Sequence, residues 1–320
     1  MKLKLGTFNL NNLFSRWNFT GAINAAVPAA EGTVSYQFSD AGSYKLRTYQ
    51  GRLVKGKSAA DTQTIADRIR SMDLDVIAVQ EVEDVDTLRK FNTDNLGGMY
   101  SSVVLVEGND DRLIDVALLS KLPIGAVTSW QKAVHASDTS TLVFSRDLLE
   151  VQILSKNRSS TLLTLFNTHL KSQFVPYNED PIAGKAASDE RRTRQAEKIR
   201  DIVLARMRPD SRFAIVGDMN DVPSSACLQP LVADAGLGVA NALTSPIETR
   251  PPKADDPMPA STAWTHRFKE SGQPARYELY DQVWLSPALA PRQSGAWIDR
   301  RTKHGGDGSD HDPAWVELDL

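Results

Sequence analysis

Apolar residues in this chain gather into short runs, and seven of those runs read as strands that end in polar side chains. They are "LKLGTFNL", "LDVIAVQE", "DVALLSK", "TLLTLFNTHL", "RFAIVGDMN", "YDQVWLS" and "PAWVELDL". Sheet proteins commonly carry their working groups at such strand ends. A helical period takes over in two places. Near residues 61–72, Ile65 and Ile69 stand four apart; near 188–207, Ser188 or Asp189 can cap a helix whose apolar stripe is Ala196, Ile199, Ile202 and Val203. Together these elements predict an α/β or mixed α+β protein with buried sheets. Residues 15–60 and 246–276 keep no period and predict long surface loops. No repeat of 20 to 50 residues is visible, but the halves echo each other. "TFNLNNL" followed by "VIAVQE" resembles "LFNTHL" followed by "FAIVGDMN", so a duplicated strand-helix-strand unit would bring both sets of strand ends to one edge.

Composition narrows the class without naming a partner. The 320 residues are 41% hydrophobic, ordinary for a globular protein with a sizeable core. A formal net charge of −3 gives no strong electrostatic footprint, so nucleic acid is neither implied nor excluded. Cys227 is the single cysteine, which excludes an intrachain disulfide, a thiolate zinc cluster and a CxxC redox pair. The start "MKLKLGTFNL" enters a strand at once and lacks the apolar core of a signal peptide, and no window approaches the about 18 apolar residues of a membrane span. The expectation is a cytoplasmic protein, with secretion left open for a longer precursor.

Candidate chemistry sits where the runs end. Glu81 follows "VIAVQ", a position where a carboxylate suits a hard cation such as Mg²⁺. "GDMND" places Asp218 and Asn220 two apart after Gly217, able to orient a water or bind metal and to donate to a phosphoryl oxygen. "NTHLKS" sets His169 and Lys171 on one face if extended, an acid beside an anion anchor. Asn9 and Asn11 repeat that spacing with amides that can bond phosphate oxygens or complete a magnesium shell. Asp281, inside an apolar run, needs a partner, and a histidine is the natural one. "GSDHDP" then offers Asp310 and His311 as a metal-ligand pair, an acid-base unit or an Asp-rich turn.

Taken in order, N…E…H…GDxN…D…SDH resembles the endonuclease/exonuclease/phosphatase superfamily, of DNase I-like fold, over almost the whole chain from Asn9 to His311. The resemblance implies a single domain over residues 1–320, built as a four-layer αββα sandwich of two mainly antiparallel sheets flanked by helices. It implies Glu81 as principal ligand of Mg²⁺, with Mn²⁺ or Ca²⁺ as alternatives, and Asn11 and Asp310 in the metal region. Many relatives have an aspartate where Asn11 stands. Asn9 and Lys171 would meet the substrate phosphate, and His169 would contact a phosphate oxygen or protonate the leaving group. Asp218 and Asn220 would hold the attacking water and a non-bridging oxygen. His311, oriented by Asp281, would contact phosphate or act as base, a role it shares as candidate with Asp218. Asp115 is the acid expected to orient His169.

The resemblance therefore implies a phosphoester hydrolase using in-line attack of water, with no covalent intermediate. A phosphodiesterase or nuclease acting on DNA or RNA is the preferred reading, with no obligate protein partner. A sphingomyelinase-like phospholipid enzyme, or one acting on small or inositol phosphates, is the alternative; Trp17, Phe19, Tyr36 and Phe38 would then line a more apolar entrance. A catalytically silent binding protein on the same fold is the alternative of another class. His135, His266 and His304 match no core motif and are expected to be structural or exposed. Trp264 and Trp284 are expected to pack, and Asp307 and Asp312 to be plain loop residues.

Overall fold

All seven expected strands are present in the computed structural model. It describes residues 1–14, 23–28, 34–38, 56–110, 112–176, 178–208, 210–251, 258–302 and 307–320, with backbone alone for 23–28 and 34–38. Two sheets carry them. The seven-stranded sheet runs, in spatial order, Ile247–Glu248, Gln293–Ile298, Ala314–Asp319, Lys2–Leu13, Val76–Val82, Asp115–Ser120 and Ser102–Leu105. The six-stranded sheet runs Ala240–Asn241, Asp281–Leu285, Phe213–Asp218, Thr161–His169, Leu148–Leu154 and Ile124–Ser129.

The echo between the halves has a structural counterpart. At the centre of each sheet lies one parallel pair, Lys2–Leu13 with Val76–Val82 and Thr161–His169 with Phe213–Asp218, flanked on both sides by antiparallel neighbours. A parallel pair needs a crossover, and the helices Ala59–Met72 and Pro181–Arg206 supply it. Parallel direction brings Asn9 level with Gln80, and His169 level with Asp218.

Side-chain alternation builds the layers. Leu3, Leu5, Val76, Ala78, Leu163, Leu165, Ala214, Val216, Val283 and Leu285 pack between the two sheets. The intervening residues face outward: Phe8, Ile77 and Val79 meet Ile65, Ile69 and Met72 of the first helix, while Phe166 and Ile215 meet Ala196, Ile199 and Val203 of the second. Three apolar seams thus separate four layers, helix, sheet, sheet, helix.

The boundaries depart from expectation where no apolar period marks them. The long helix starts at Pro181, seven residues before Ser188, because the Asp180 carboxylate accepts from the Ile182 and Ala183 amides at 3.1 and 2.8 Å. Ser188 is buried inside it, and Asp189 pairs with Lys185. A further helix, Val85–Asp94, is capped by Asp84. Inside the expected loop 15–60, Ile23–Pro28 pairs with Val34–Phe38. Trp17 and Phe19, and the side chains of Tyr36 and Phe38, lie outside the described residues, as does His304. Inside 246–276, Ile247–Glu248 joins the larger sheet and His266–Phe268 pairs with Arg276–Glu278.

Candidate active site

The inward-facing registers that carry the inter-sheet core do not stay apolar. Toward one edge they continue as Thr7 and Asn9, Gln80, Asn167 and His169, Asp218, and Asp281, all at most 3% exposed. A polar tier closes the core here. Asn167 donates across the seam to the carbonyls of Ala117 (2.8 Å) and Val79 (3.2 Å) and accepts from Gln80 Nε2 (2.8 Å), which also bonds Thr7. Thr7, Gln80 and Asn167 find partners on the facing sheet or the neighbouring strand, as buried polar groups generally do, whereas His169 Nδ1 and Asp281 Oδ1 have none among the described residues.

Beyond the tier the backbone leaves the strand pattern. Asn11, Asn12, Glu81 and Asn220 adopt φ of 46°, 61°, 61° and 51°, in the left-handed region. The pairing register shifts at Asn9/Leu13 and at Gln80/Val82, so Asn11, Asn12 and Glu81 sit in bulges that re-aim their side chains. Here the expected two-residue spacing fails. Asn9 Oδ1 accepts from the Asn11 amide (2.9 Å), Asn11 Oδ1 accepts from the Asn12 side chain (3.0 Å), and the Asn12 amide donates to Glu81 Oε2 (3.0 Å). Asp218 Oδ1 likewise accepts from the Asn220 amide (2.8 Å), which turns the Asn220 side chain onto the Leu170 carbonyl (3.0 Å). Gly217 permits this approach: at φ 133°, a Cβ there would stand 1.9 Å from Thr168 O.

The Asp218 carboxylate is the centre of the arrangement. Its Oδ2 accepts from Asn9 Nδ2 at 2.9 Å and lies 3.5 Å from His169 Nε2 and 3.8 Å from His311 Nε2. Asp281 meets His311 Nδ1 at 2.7 Å, so the expected aspartate-histidine pair is present. The Ser309 hydroxyl fixes the loop that delivers His311, donating to Asn9 O (2.7 Å) and accepting from the His311 amide (3.0 Å). The two histidines are pushed apart electrically. Burial lowers His169 well below its ordinary range, and the charges of Arg146 and His311 add to it. Burial also opposes the charged form of His311, but Asp281, Asp218 and Asp310 outweigh it and hold this imidazole well above the ordinary range. Burial, with Asp281 beside it, raises Asp218.

Other expected residues fall elsewhere. Asp115 does not orient His169: its Oδ1 accepts from the Gly108 amide (2.7 Å), because the chain before the strand folds back over it, and no hydrogen bond joins the two side chains. Burial pushes Asp115 up to about 7. Lys171 does not stand beside His169, since the strand ends at His169 and the ammonium turns to the carbonyls of Ser172 and Phe174 (2.8 and 3.1 Å). Asp310 is exposed but remains at the site, with a carboxylate oxygen within 4.8 Å of ring nitrogens of His266 and His311. His266, expected to be structural or exposed, bridges His311 through its backbone, stacks on Tyr280 at 5.1 Å and lies 4.9 Å from the His311 ring. Burial and the His311 charge bring it down to about 4. Arg146, which no motif announced, is buried under the site; its Nη1 donates to Leu170 O at 3.1 Å. Asp312 is no plain loop residue: fully buried, it pairs with Arg301 (3.0 Å), Arg300 (3.4 Å) and Arg68 (3.5 Å). His135 bonds Glu197 and Ser137, while Trp264 and Trp284 pack at 5% exposure.

The sequence of the Endonuclease/Exonuclease/phosphatase family, taken as a pattern, matches residues 6–311. The chain belongs to that family. Members of the family are generally phosphoester hydrolases. Several solved structures share its fold along nearly their full length. A family protein from Bacteroides vulgatus has 12% identity and a TM-score of 0.61, covering 100% of this chain and 99% of its own. An AP endonuclease from Archaeoglobus fulgidus has 15% identity and a TM-score of 0.58, covering 99% and 100%. A mannosyl-6-phosphatase from Bacteroides thetaiotaomicron has 12% identity and a TM-score of 0.56, covering 99% and 100%. Comparison with curated proteins finds no match. No described helix is long and apolar enough to cross a membrane.

The site also suits the divalent cation that family enzymes commonly use. Burial raises Glu81, repulsion from Asp310 and Asp218 adds to it, and the charges of His311 and Arg146 offset only part of the rise. Glu81 and Asp310 offer carboxylate oxygens, which fit a hard ion. His266, Asp310 and His311 also offer ligand atoms within 4.8 Å of one another, as do Asp218, Asp281 and His311. In the latter set the carboxylate of Asp281 is already engaged by the imidazole.

Proposed function

We propose that this chain is a divalent-metal-dependent phosphodiesterase, with nucleic-acid strands among its substrates, in which water attacks phosphorus in line with the departing oxygen. The observation that carries this reading is a carboxylate, Asp218, set between two histidines, 3.5 Å from His169 Nε2 and 3.8 Å from His311 Nε2. Glu81 and Asp310, with Asn11 nearby, would hold Mg²⁺, or Mn²⁺ or Ca²⁺ in its place. Such an ion would act as a Lewis acid toward the phosphoryl oxygens.

The chain's own groups divide the remaining tasks. His311 is cationic and supported from behind by Asp281, so it is suited to a phosphoryl oxygen as negative charge builds there. It is a poor acceptor of a proton it already holds. That favours Asp218 as the base that takes the proton from water, its raised affinity being an asset in that role. Neutral His169 and the Asn9 amide fix the Asp218 carboxylate and keep it facing the phosphorus. Held neutral, with Nε2 turned to Asp218, His169 is poorly suited to protonating the leaving group.

The test is a substrate panel with Mg²⁺ or Mn²⁺: plasmid DNA, RNA, bis(p-nitrophenyl) phosphate, sphingomyelin and a sugar phosphomonoester. Cleavage of a nucleic acid and of the bis ester, lost in Asp218→Asn, is expected. Turnover of the monoester alone would overturn the phosphodiesterase reading, and turnover of sphingomyelin, itself a phosphodiester, with neither nucleic acid cleaved would overturn the assignment of nucleic-acid substrates.

A further inference from the structure

Beside the site, on the far side of one peptide, lies an open pocket of about 570 Å³ lined by Asp110, Arg112, Arg146, Lys171, Glu179 and Arg191, among others. The wall is shared. The Leu170 carbonyl accepts from Asn220 Nδ2 on the site side (3.0 Å) and from Arg146 Nη1 on the pocket side (3.1 Å). The next residue is fixed as firmly: the Lys171 amide donates to Gln195 Oε1 (2.9 Å) and its carbonyl accepts from Arg192 Nη1 (3.1 Å). The pocket therefore stands at a set distance from Asp218 and His169.

Its charge is unbalanced. Four cations line it against two carboxylates. Asp110 alone serves two of the cations, meeting Arg112 and Arg146 at 3.2 Å each. Lys171 bonds two backbone carbonyls and, among the described residues, pairs with no carboxylate; neither does Arg191. Burial, and then the charges of Arg146, Arg192, Arg191 and Arg112, lower Lys171 to about 8. Cations crowded together in a partly dry concavity repel one another, and a bound anion removes that repulsion. Two carbonyls can hold an ammonium in place, but they do not explain why three guanidinium groups converge on it.

We propose that this pocket receives a second phosphoryl group of the substrate, covalently joined to the one cleaved beside it. The inference rests on the phosphodiesterase reading above and narrows it: the preferred substrate carries at least two phosphates. The second can be the next phosphodiester of a polynucleotide or the terminal phosphate of a small bisphosphorylated ester, since both present the same anionic oxygens to Lys171 and the arginines.

The experiment compares wild type with Arg191→Gln and Arg112→Gln on p-nitrophenyl thymidine 5′-phosphate, with and without a 3′-phosphate. A short DNA oligonucleotide and 1,6-bis(p-nitrophenylphospho)hexane provide the polynucleotide and small-molecule arms. Each variant is expected to raise KM for doubly phosphorylated substrates about tenfold, the worth of a charge-assisted contact. The singly phosphorylated ester should keep its kcat/KM within about twofold on the same basis. Equal losses on both esters, or no loss on either, overturn the proposal. A larger loss on the oligonucleotide than on the hexane ester assigns the pocket to a polynucleotide, and the reverse assigns it to a small ester. Metal-free calorimetry with inorganic pyrophosphate separates the two levels. If wild type binds it and Arg191→Gln weakens binding about tenfold while none of the esters is cleaved, the pocket stands and the phosphodiesterase reading falls. Unchanged pyrophosphate affinity in both variants counts against the pocket.

Discussion

At the scale of single residues, charge decides more than position. His311 is held cationic by Asp281, so activity that needs the imidazolium is retained at low pH and lost as pH rises through the His311 pKa. Asp281→Asn should move that alkaline limb of the kcat/KM profile to lower pH and cost about 10²- to 10⁴-fold in rate. An unmoved limb would remove Asp281 from its supporting role. Asp115 works the other way. Its folded pKa of about 7 lies above the ordinary value, so the folded state holds a proton that the unfolded chain releases, and stability falls as pH rises from about 4 to 7. Asp115→Asn keeps an oxygen for the Gly108 amide and is expected to stabilise the protein at pH 8 by on the order of 1–3 kcal/mol, with the difference vanishing near pH 4. Urea unfolding at the two pH values reads this directly, and hydrolysis should be unchanged. The types of the site residues were legible in the sequence because a carboxylate or imidazole after an apolar run has few bland uses. Their directions were not, since left-handed turns at Asn11, Asn12, Glu81 and Asn220 cancel the strand alternation from which direction is inferred.

At the scale of elements, close approach sets the tolerances. Gly217→Ala would force a methyl group to 1.9 Å from the Thr168 carbonyl at a φ that L-residues avoid. A loss of about 3–5 kcal/mol follows, measurable by denaturant unfolding; a loss below about 1 kcal/mol would show that the two strands part easily. Asp312→Ala removes the one carboxylate that gathers Arg68, Arg300 and Arg301 behind the His311 loop. Arg68 keeps Asp299 and Arg300 keeps Glu248, so among the described residues Arg301 is the guanidinium left without a carboxylate, at a cost of about 3 kcal/mol, and the His311 loop should lose protection in hydrogen exchange. The strands were readable because their inner and outer faces alternate. The start of the long helix was not, because "PIAGKAA" carries no apolar stripe and its cap, Asp180, lies outside any periodic run. His266 and Arg146 were hidden for a different reason: one reaches the site from a short hairpin and the other from the loop before Leu148–Leu154, neither with a pattern of its own, and three-dimensional proximity alone marks them.

At the scale of the whole molecule, the sandwich was legible from the resemblance and from the repeated strand-helix-strand unit, while the joint between its sheets was not. Asn167 looked like one more polar residue on a strand end, yet its amide reaches two carbonyls and Gln80 on the opposite sheet. Asn167→Leu keeps bulk but leaves Gln80 with Thr7 alone and removes the donor to the Val79 and Ala117 carbonyls, so a loss of about 1–3 kcal/mol is expected together with weaker catalysis, since His169 lies two residues further along the same strand. Stability lost with kcat intact would confine the tier to structure. The larger sheet holds one more consequence. Ala314–Asp319 lies between Gln293–Ile298 and Lys2–Leu13, so it is an interior strand, paired on both edges. On the ribosome the strand Lys2–Leu13 therefore keeps one edge bare until residues 314–319 have emerged, long after its other neighbour, Val76–Val82. Closure of the sheet and delivery of His311 to the site are thereby coupled, since the loop that carries His311 leads directly into the closing strand.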